Sequence, residues 1–300
     1  MRKNIDLTAF LLMIVICAVW GVQQVAMKSV ASEISPALQV SVRSGVAALL
    51  IFLIFNRRDN IIGRLAESHI WLPALAVGGL FALEFWLVVT GIKMTSASHM
   101  TLFLYTAPLF SAAGLPFFIR AEALSRRQWW GIVVAFIGIG IALLLTKTTE
   151  NDASWSLAGD LLGLAAGMSW GISSIIIRCS ALSQIPSSCT LFYQLMVASA
   201  ALLLIAPLTG QTTFIITSAS LGSLVFQTVI VAFMSYLAWF TLLRYYQVST
   251  LGTLVLMTPV MGIAAGAYFL SERLQTGFIA GSALILAGLV CVCFRRKKGG

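Results

Sequence analysis

Charged residues are scarce in this sequence: Asp, Glu, Lys and Arg together make up 10% of the chain, against 59% hydrophobic residues. With a mean hydropathy of +0.97, the composition lies far outside the range of soluble globular proteins. This scarcity excludes a water-soluble enzyme or binding module. The composition predicts an integral membrane protein.

Histidine is also scarce, with two residues in the chain, and the five cysteines show no metal-ligand spacing. We therefore predict no metal site, no catalytic residue and no cofactor, and an intramembrane enzyme is disfavoured. The sequence contains no phosphate-binding loop, so the chain is not expected to hydrolyse ATP. Its net charge of +9 is better explained by basic loops that face anionic lipid than by nucleic acid, which is not an expected partner.

Long apolar runs are what the sequence has in abundance. A helix needs about 20 mostly apolar residues to span a bilayer, and ten stretches meet that requirement. They are apolar all round and do not alternate every second residue, which excludes the strands of a membrane barrel. The approximate ranges are Thr8–Ala26, Pro36–Phe55, Ile70–Gly91, Ser98–Ile119, Trp130–Leu145, Ser156–Ile177, Pro186–Pro207, Leu221–Leu243, Thr250–Leu270 and Gly277–Phe294. The predicted fold is an all-α integral membrane protein with ten transmembrane helices.

Basic residues are distributed unevenly over the connections between these stretches. The two termini and the even-numbered loops hold 14 Lys and Arg residues, whereas the odd-numbered loops hold four. Because positive charge favours the cytoplasmic side, both termini are predicted to be cytoplasmic. The expected location is the plasma membrane, specifically the bacterial inner membrane.

The stretch Thr95–Gly131 returns about 150 positions later as Tyr246–Gly281. Several landmarks in the same order at one offset indicate an internal duplication. The aligned pairs are Trp20-Gly21 with Trp170-Gly171, Lys28 with Arg178, Ser98 with Ser249, Pro108 with Pro259, Glu122 with Glu272, and Gly131 with Gly281. We predict two five-helix repeats, residues 1–146 and 156–296, joined by an external linker, 147–155.

Each predicted repeat has five spans, an odd number, so the second repeat must enter the membrane from the side opposite to the first. The repeats are therefore expected to be inverted. Inverted repeats are typical of secondary transporters, in which two halves rock about a site near the midplane.

The Trp-Gly and Lys of the first span, the basic residue of the second, and the TSAS…P…E…G stretch with its VST…TP…SERL…G copy resemble a known family. It is the drug/metabolite transporter superfamily, specifically its ten-helix EamA-like branch, and the resemblance covers nearly the whole chain. The second half fits the pattern at Glu272-Arg273-Leu274, whereas the first departs from it at Arg120-Ala121-Glu122-Ala123. The resemblance implies inverted repeats around a central cavity and export of amino acids, metabolites or drugs.

Pro108 and Pro259 fall near the middles of the fourth and ninth predicted spans. Each removes an amide donor and leaves a carbonyl without its helical partner. Paired interruptions at corresponding points of two repeats predict a transport site, and kinks that only shape packing are the alternative. Tyr105 and Thr258 offer aromatic and polar groups alongside, so these four residues are candidates for binding solute.

Arg43 and Glu84 are placed well inside the second and third spans, at matching depths of about 10 Å below the outer face at 1.5 Å per residue. Intramembrane charges usually pair or line an aqueous path. Arg43 is a candidate for a solute carboxylate, and Glu84 for an amine or a coupling proton. A fixed ion pair that ties two helices together is the equally weighted alternative.

Two polar faces repeat at the internal offset. Trp20, Gln23, Gln24 and Lys28 share one helical face, and Trp170, Ser173, Ser174 and Arg178 repeat it. They are predicted to line the two halves of a pathway, with interfacial anchoring of Trp and basic residues as the alternative. Tyr236 and Trp239 complete an aromatic lining suited to a solute with an apolar portion.

Two sets of glycines are assigned to helix packing. Gly159, Gly163, Gly167 and Gly171 recur every four residues along the sixth span, and Gly131, Gly138, Gly281 and Gly288 mark the fifth and tenth. Small residues at such spacing let a neighbouring backbone approach closely.

The predicted function is secondary active transport of a small organic solute, in the export direction, by alternating access through a central cavity. The alternatives are an uncoupled facilitator or exchanger and a non-transporting structural membrane protein. The expected partners are a small-molecule solute, membrane lipid and protons as a candidate coupling ion. A monomer is expected, with a homodimer as the alternative.

Overall fold

The computed structural model describes residues 6–119, 124–144, 157–246, 251 and 254–293. The predicted linker 147–155, together with Glu122 and Ser249, lies outside this part of the chain. The described residues form ten helical spans. These are α1 (Leu7–Ser29), α2 (Pro36–Asp59), α3 (Ser68–Gly91), α4 (Ala97–Phe118), α5 (Arg126–Leu144), α6 (Leu157–Cys179), α7 (Ser187–Leu208), α8 (Ser218–Val225, Phe226–Ser235 and Tyr236–Tyr245), α9 (Met257–Phe269) and α10 (Thr276–Cys293).

Eight of these helices are long and apolar enough to cross a membrane, and α9 and α10 are shorter apolar helices. The prediction of an all-α membrane protein with ten spans is confirmed. Two short pieces, the helix Ile61–Leu65 and the 3₁₀ turn Ala181–Ser183, connect α2 to α3 and α6 to α7.

Local sequence explains where several helices begin. The Asp6 carboxylate accepts a hydrogen bond of 2.8 Å from the Ala9 amide at the start of α1, and Pro36 occupies the first turn of α2. Ser96 accepts a hydrogen bond of 3.0 Å from the His99 amide at the start of α4. The two side chains each accept a bond from an amide that a helix start leaves without a partner, and the proline has no amide hydrogen to satisfy.

Contacts between connecting segments define one end of the bundle, which we call the Lys28 face. There the α1–α2 and α7–α8 connections pair through an antiparallel bridge between Ile34 and Phe214. The Ser35 amide donates to the Thr213 carbonyl at 3.0 Å. These two connections therefore lie on the same side of the membrane, as the alternation of ten spans requires.

The opposite end, which we call the Asp59 face, is held by contacts of the same kind. The Ser188 hydroxyl donates to the Asp59 carboxylate, and the Tyr193 hydroxyl donates to the Ile61 carbonyl at 2.7 Å. Tyr246, at the end of α8, donates to Asp6 at 2.7 Å, before the start of α1. The start of α1 and the end of α8 thus share this face.

The two repeats are inverted. α1 begins at the Asp59 face and ends at Lys28, whereas α6 begins at the Lys28 face, where Thr95 donates to Asp160 at 2.6 Å. The first helices of the two repeats therefore cross the bundle in opposite directions.

Glycines decide which helices lie closest together. A Cβ placed on Gly138 of α5 would lie 2.8 Å from the Gly281 carbonyl oxygen of α10, and one on Gly131 would lie 2.7 Å from the Gly288 carbonyl oxygen. A Cβ placed on Gly167 of α6 would lie 2.7 Å from the Phe103 carbonyl oxygen of α4. The prediction that these glycines serve helix packing is confirmed, because no larger residue fits these approaches without displacing a backbone.

Candidate functional site

In both half-molecules a turn precedes a helix that has a proline in its first turn. α4 consists of Ala97–Leu104 and Ala107–Phe118, with a turn at Tyr105 and Thr106 between them. Pro108 has no amide hydrogen with which to bond the Leu104 carbonyl, so the chain cannot continue as one regular helix. The Thr106 hydroxyl instead donates to the nearby Phe103 carbonyl at 2.6 Å.

The second interruption is the counterpart of the first. A turn at Leu256 precedes α9, and Leu256 lies 151 positions after Tyr105, the offset of the duplication. Pro259 follows within the first turn of α9. The structure therefore places paired backbone breaks immediately before the two prolines.

The Trp-Gly pairs bring two further helices against these broken ones. A Cβ on Gly21 of α1 would lie 2.7 Å from the Gly262 nitrogen of α9, and one on Gly171 of α6 would lie 2.9 Å from the Ala107 carbonyl oxygen of α4. The adjacent tryptophans are thereby set at corresponding places in the two halves.

Trp20 joins α1 to α8. Its indole N–H donates to the Ser235 hydroxyl at 2.7 Å, and Ser235 in turn donates to the Val231 carbonyl at 2.6 Å. The indole also makes edge contacts with Tyr236 and Trp239, at ring-centroid distances of 5.8 and 5.7 Å. Three of the predicted lining residues therefore form one aromatic cluster.

Trp170 occupies the equivalent place in the second repeat but has a different partner. Its ring makes an edge contact with Tyr105, at a centroid distance of 5.4 Å and an interplanar angle of 82°. The contact joins α6 to the interruption of α4, so a polar phenol and an indole lie beside the broken backbone.

Arg43 is 1% exposed, which makes it one of the largest fully buried side chains of the described residues. Its guanidinium carbon lies 4.5 Å from the centroid of the Phe85 ring on α3. The Nε and Nη1 atoms have no hydrogen-bond partner within the described part of the chain. An arginine with unused donors inside a membrane bundle is set up to receive an acceptor.

Glu84 lies next to Phe85 and is 4% exposed. It interacts electrostatically with Arg43 and with the phenols of Tyr105 and Tyr236. The ion pairs within 4.0 Å formed by the described residues do not include Arg43 or Glu84. The Glu84 Oε2 atom has no hydrogen-bond partner in that part of the chain either. The two charges share one buried region without contacting each other directly.

The remaining predicted residues are also internal. Gln23 and Pro259 are buried, and Pro108 is half-buried. Gln24, Ser173 and Thr258 are buried, and the Gln24 Oε1 atom and the Ser173 hydroxyl lack a hydrogen-bond partner among the described residues. These unused polar atoms lie on α1 and α6, so hydrogen-bonding capacity is available from both halves.

Sequence reasoning missed two residues of this region. Phe85 was not singled out, although it directly follows Glu84, because an aromatic residue in an apolar span carries no signal of its own. Ser235 was not singled out because a single serine in a span can bond its own helix backbone, and it ends the π-helical stretch Phe226–Ser235 of α8. π-helical turns inside α-helices are frequent at functional sites.

The region is closed in this structure. Trp20 and Tyr105 are buried together with Arg43 and Glu84, so a solute reaches them only if the surrounding helices separate. An apolar groove of about 310 Å³ lies elsewhere, between α9 and α10, lined by Leu256, Met257, Val260, Met261, Leu286 and Val290. It contains none of the predicted site residues.

Comparison with known proteins bears on what this arrangement does. The profile of the EamA-like transporter family matches twice, at residues 7–144 and 157–294. A relative from Salmonella typhimurium, named as a probable amino-acid metabolite efflux pump, is 27% identical over 287 residues, covering 93% of this chain and 92% of its own. An uncharacterized transporter of Bacillus subtilis, YoaV, is 24% identical over 289 residues, covering 93% and 95%.

A solved crystal structure is similar over almost the whole fold. It matches with a TM-score of 0.66 at 17% sequence identity, covering 95% of this chain and 96% of that one. At this identity the similarity shows the fold alone.

Proposed function

The chain belongs to the EamA-like transporter family, and on that premise we propose that it is a secondary active transporter that exports a small organic solute by alternating access. Membrane transport, and not enzymatic catalysis, is what the family and the named relatives have in common. The proposal adds the mechanism, the direction and the kind of solute.

One observation carries the proposal: Arg43 and Glu84 are buried in the same region of the bundle, and both have polar atoms without partners among the described residues. Burying such groups costs free energy that a folded protein normally recovers through hydrogen bonds. A solute that brings an acceptor to Arg43 would supply what the protein leaves open. This favours a ligand site over a structural ion pair.

The solute that fits best has a carboxylate and an apolar portion. Arg43 would bind the carboxylate through its planar donors, while Trp20, Tyr105, Phe85 and Tyr236 surround the apolar part. Amino acids and their metabolites meet this description, and the names of two relatives, from Salmonella typhimurium and Escherichia coli, support the same class.

Alternating access is supported by the duplicated architecture. The site lies between two inverted repeats, and paired backbone breaks precede Pro108 and Pro259. Such breaks let part of a helix move without unfolding the rest. In the closed arrangement neither face reaches the site, and rocking of the repeats would open one face at a time.

Direction and energy source are assigned from charge. The Asp59 face would be cytoplasmic, because the basic residues of the sequence concentrate on that side, and both termini would lie there, in the plasma membrane. Glu84 would carry the coupling proton, since it is a buried carboxylate near the site. When a solute carboxylate binds Arg43, the positive charge of Arg43 would no longer favour the ionised form of Glu84, and Glu84 could take up a proton. We assign the transporting unit as a monomer, because each chain contains both repeats.

Flux measurements in proteoliposomes test the proposal. Purified protein should accelerate export of one or more amino acids, with an inward proton gradient increasing the rate and Arg43→Ala abolishing it. Flux that is independent of the gradient would replace the proposal with uncoupled exchange. If neither amino acids nor drug-like cations are transported or stabilise the purified protein, transport itself is wrong for this chain.

A further inference from the structure

A second group of ionisable residues lies at the Lys28 face, away from Arg43 and Glu84. His99 of α4 and Asp160 of α6 are 5% and 0% exposed, and the His99 Nδ1 atom lies 2.8 Å from the Asp160 Oδ2 atom. The Thr95 hydroxyl donates to the other carboxylate oxygen at 2.6 Å. A histidine and an aspartate therefore meet in a buried position between the two halves of the molecule.

The imidazole of His99 is held from one further direction. Its ring is stacked on Phe278 of α10, with a centroid distance of 3.9 Å and an interplanar angle of 8°. The ring of this first-half residue therefore cannot reorient without breaking contacts to two helices of the second half.

Thr95 connects this pair to two more charges. Its carbonyl accepts a hydrogen bond of 2.5 Å from the Lys28 ammonium of α1, which also lies 3.7 Å from the Glu272 carboxylate. Glu272 follows α9 and accepts hydrogen bonds from the amides of Ala97 and Ser98, at 2.6 and 2.9 Å. One continuous network thus ties α1, α4, α6 and the α9–α10 region together where this face is closed.

We infer that His99 and Asp160 form a proton-binding site that stabilises closure of the Lys28 face. With a proton bound, the imidazole becomes a cation, its hydrogen bond to Asp160 becomes an ion pair, and its stacking on Phe278 gains a cation–π contribution. Both the ion pair and the cation–π contact are lost when the helices separate. The proton therefore favours the closed arrangement.

The direction of the effect follows from the charges that face the pair. Among the described contacts, Asp160 is the charged group that touches the imidazole, Thr95 and Phe278 are uncharged, and the Lys28–Glu272 ion pair lies beyond Thr95. A carboxylate in direct contact attracts a protonated imidazole more strongly than a neutral one. Because closure and proton binding reinforce each other reciprocally, acid on the Lys28 side shifts the population toward closure, and alkaline conditions release it.

This site deepens the proposed transport cycle and rests on the proposed orientation, in which the Lys28 face is external. An exporter that has released its solute must close this face before it returns. Protons arriving from outside would promote that step. The site differs from Glu84 because it controls access to the cavity and does not contact solute.

Accessibility of an introduced cysteine tests the site without relying on transport. Val25 lies one turn before Lys28 on α1 and is buried against Ala97 and Ala265, so Val25→Cys should react with a membrane-impermeant maleimide only when this face opens. Intact cells are labelled at about pH 8 and about pH 5.5. Cells without Val25→Cys give the background. Ser29→Cys, an exposed position at the same face, gives the rate that corrects each pH for the lower reactivity of any thiol in acid.

We expect the labelling rate of Val25→Cys, relative to that of Ser29→Cys at the same pH, to fall by at least about fivefold in acid, the lower range of typical coupling between two sites. His99→Gln and, separately, Asp160→Asn should remove this dependence while the protein still reaches the membrane. His69→Gln is the matched control, because His69 is the other histidine and is exposed beside Glu67 near the Asp59 face; it should behave like the parent.

A parent whose corrected labelling rate is equal at both pH values, or a corrected dependence that survives in both His99→Gln and Asp160→Asn, overturns the site. A dependence that appears only in inside-out vesicles supports the site and overturns the orientation. If labelling shows the expected pH response in a protein that transports nothing, the His99–Asp160 site is supported and the transport proposal is rejected. The two proposals can therefore fail separately.

Discussion

The guanidinium of Arg43 lies 4.5 Å from the centroid of the Phe85 ring, on the helix that also carries Glu84. An aromatic face can stabilise a desolvated cation by about 2 kcal/mol. Arg43 is therefore held without a direct ion pair to Glu84. This arrangement leaves one carboxylate oxygen of Glu84 and two nitrogen atoms of Arg43 open to other partners.

We predict that Glu84→Gln folds and exchanges solute but loses its acceleration by a proton gradient. Gln keeps the shape of the side chain and cannot titrate. Because Phe85, and not Glu84, makes the close contact with Arg43, removing one negative charge should not unfold the protein. Flux into proteoliposomes with and without a pH gradient measures the change.

The matched control for this substitution is Glu67→Gln, which alters a carboxylate that is half-exposed near the Asp59 face. It should retain the gradient response of the parent. A Glu84→Gln protein that fails to fold would indicate that Arg43 needs its countercharge. A folded variant with an unchanged gradient response would eliminate Glu84 as the coupling residue.

Trp20 is predicted to act through both its ring and its N–H group. Trp20→Ala removes the contacts with Tyr236 and Trp239 and should reduce flux by about tenfold, equivalent to about 1.4 kcal/mol. Trp20→Phe keeps an aromatic ring but loses the hydrogen bond to Ser235, and an intermediate flux is expected. Initial rates at equal membrane expression give the comparison.

The control for the tryptophan series is Trp130→Ala on α5, since Trp130 is 70% exposed and far from the aromatic cluster. It should transport at the rate of the parent. Trp170→Ala, which removes the contact with Tyr105, should resemble Trp20→Ala. Parental flux in both Trp20→Ala and Trp170→Ala would make these residues elements of packing.

Much of the fold follows from the internal duplication of the sequence. An offset of about 150 residues aligns Pro108 with Pro259, and the structure interrupts a helix just before each of them. Glycines at fixed spacing likewise marked helices that pack tightly, α5, α6 and α10. These features are predictable because a missing amide or a missing Cβ acts locally, whatever the rest of the chain does.

Side-chain partnerships were less predictable. The predicted depths of Arg43 and Glu84 place them at the same level of the membrane. The rise per residue does not determine which way a side chain points, and in the structure Phe85, not Glu84, contacts Arg43. Asp160 was not recognised as an internal charge because it lies one turn inside α6, close to a span end. Its partner His99 is 61 positions earlier in the sequence, and only the packing of α4 on α6 joins them.

The absolute orientation of the bundle is a separate prediction. A cytoplasmic reporter fused after Gly300 should be active, and one fused after Leu145 should be inactive, because an odd number of spans precedes it. A periplasmic reporter at the two sites should give the opposite pattern. Since contacts within the bundle already fix which connections share a face, reversed activities would invert every assignment of inside and outside together.

The helix pair α5 and α10 offers a test of packing with an internal control. A Cβ at Gly138 would lie 2.7 Å from the Ile285 nitrogen of α10, whereas one at Gly140, two residues later on the same helix, meets nothing within 4 Å. We predict that Gly138→Ala destabilises the protein by about 1–3 kcal/mol, the usual cost of overpacking. Gly140→Ala should be neutral or slightly stabilising, because alanine favours helix.

Thermal unfolding of the two variants in the same detergent separates local packing from a general effect of glycine replacement. Equal stability would mean that α5 and α10 are further apart than the structure places them.

Transport distinguishes this pair from the crossing of α4 and α6, where a Cβ on Gly171 would lie 2.9 Å from the Ala107 carbonyl oxygen. Gly171→Ala lies beside the interruption of α4 and should lower flux even where the protein stays folded. Folded Gly138→Ala should keep most of the parental flux, because α5 and α10 contribute no residue to the predicted solute site.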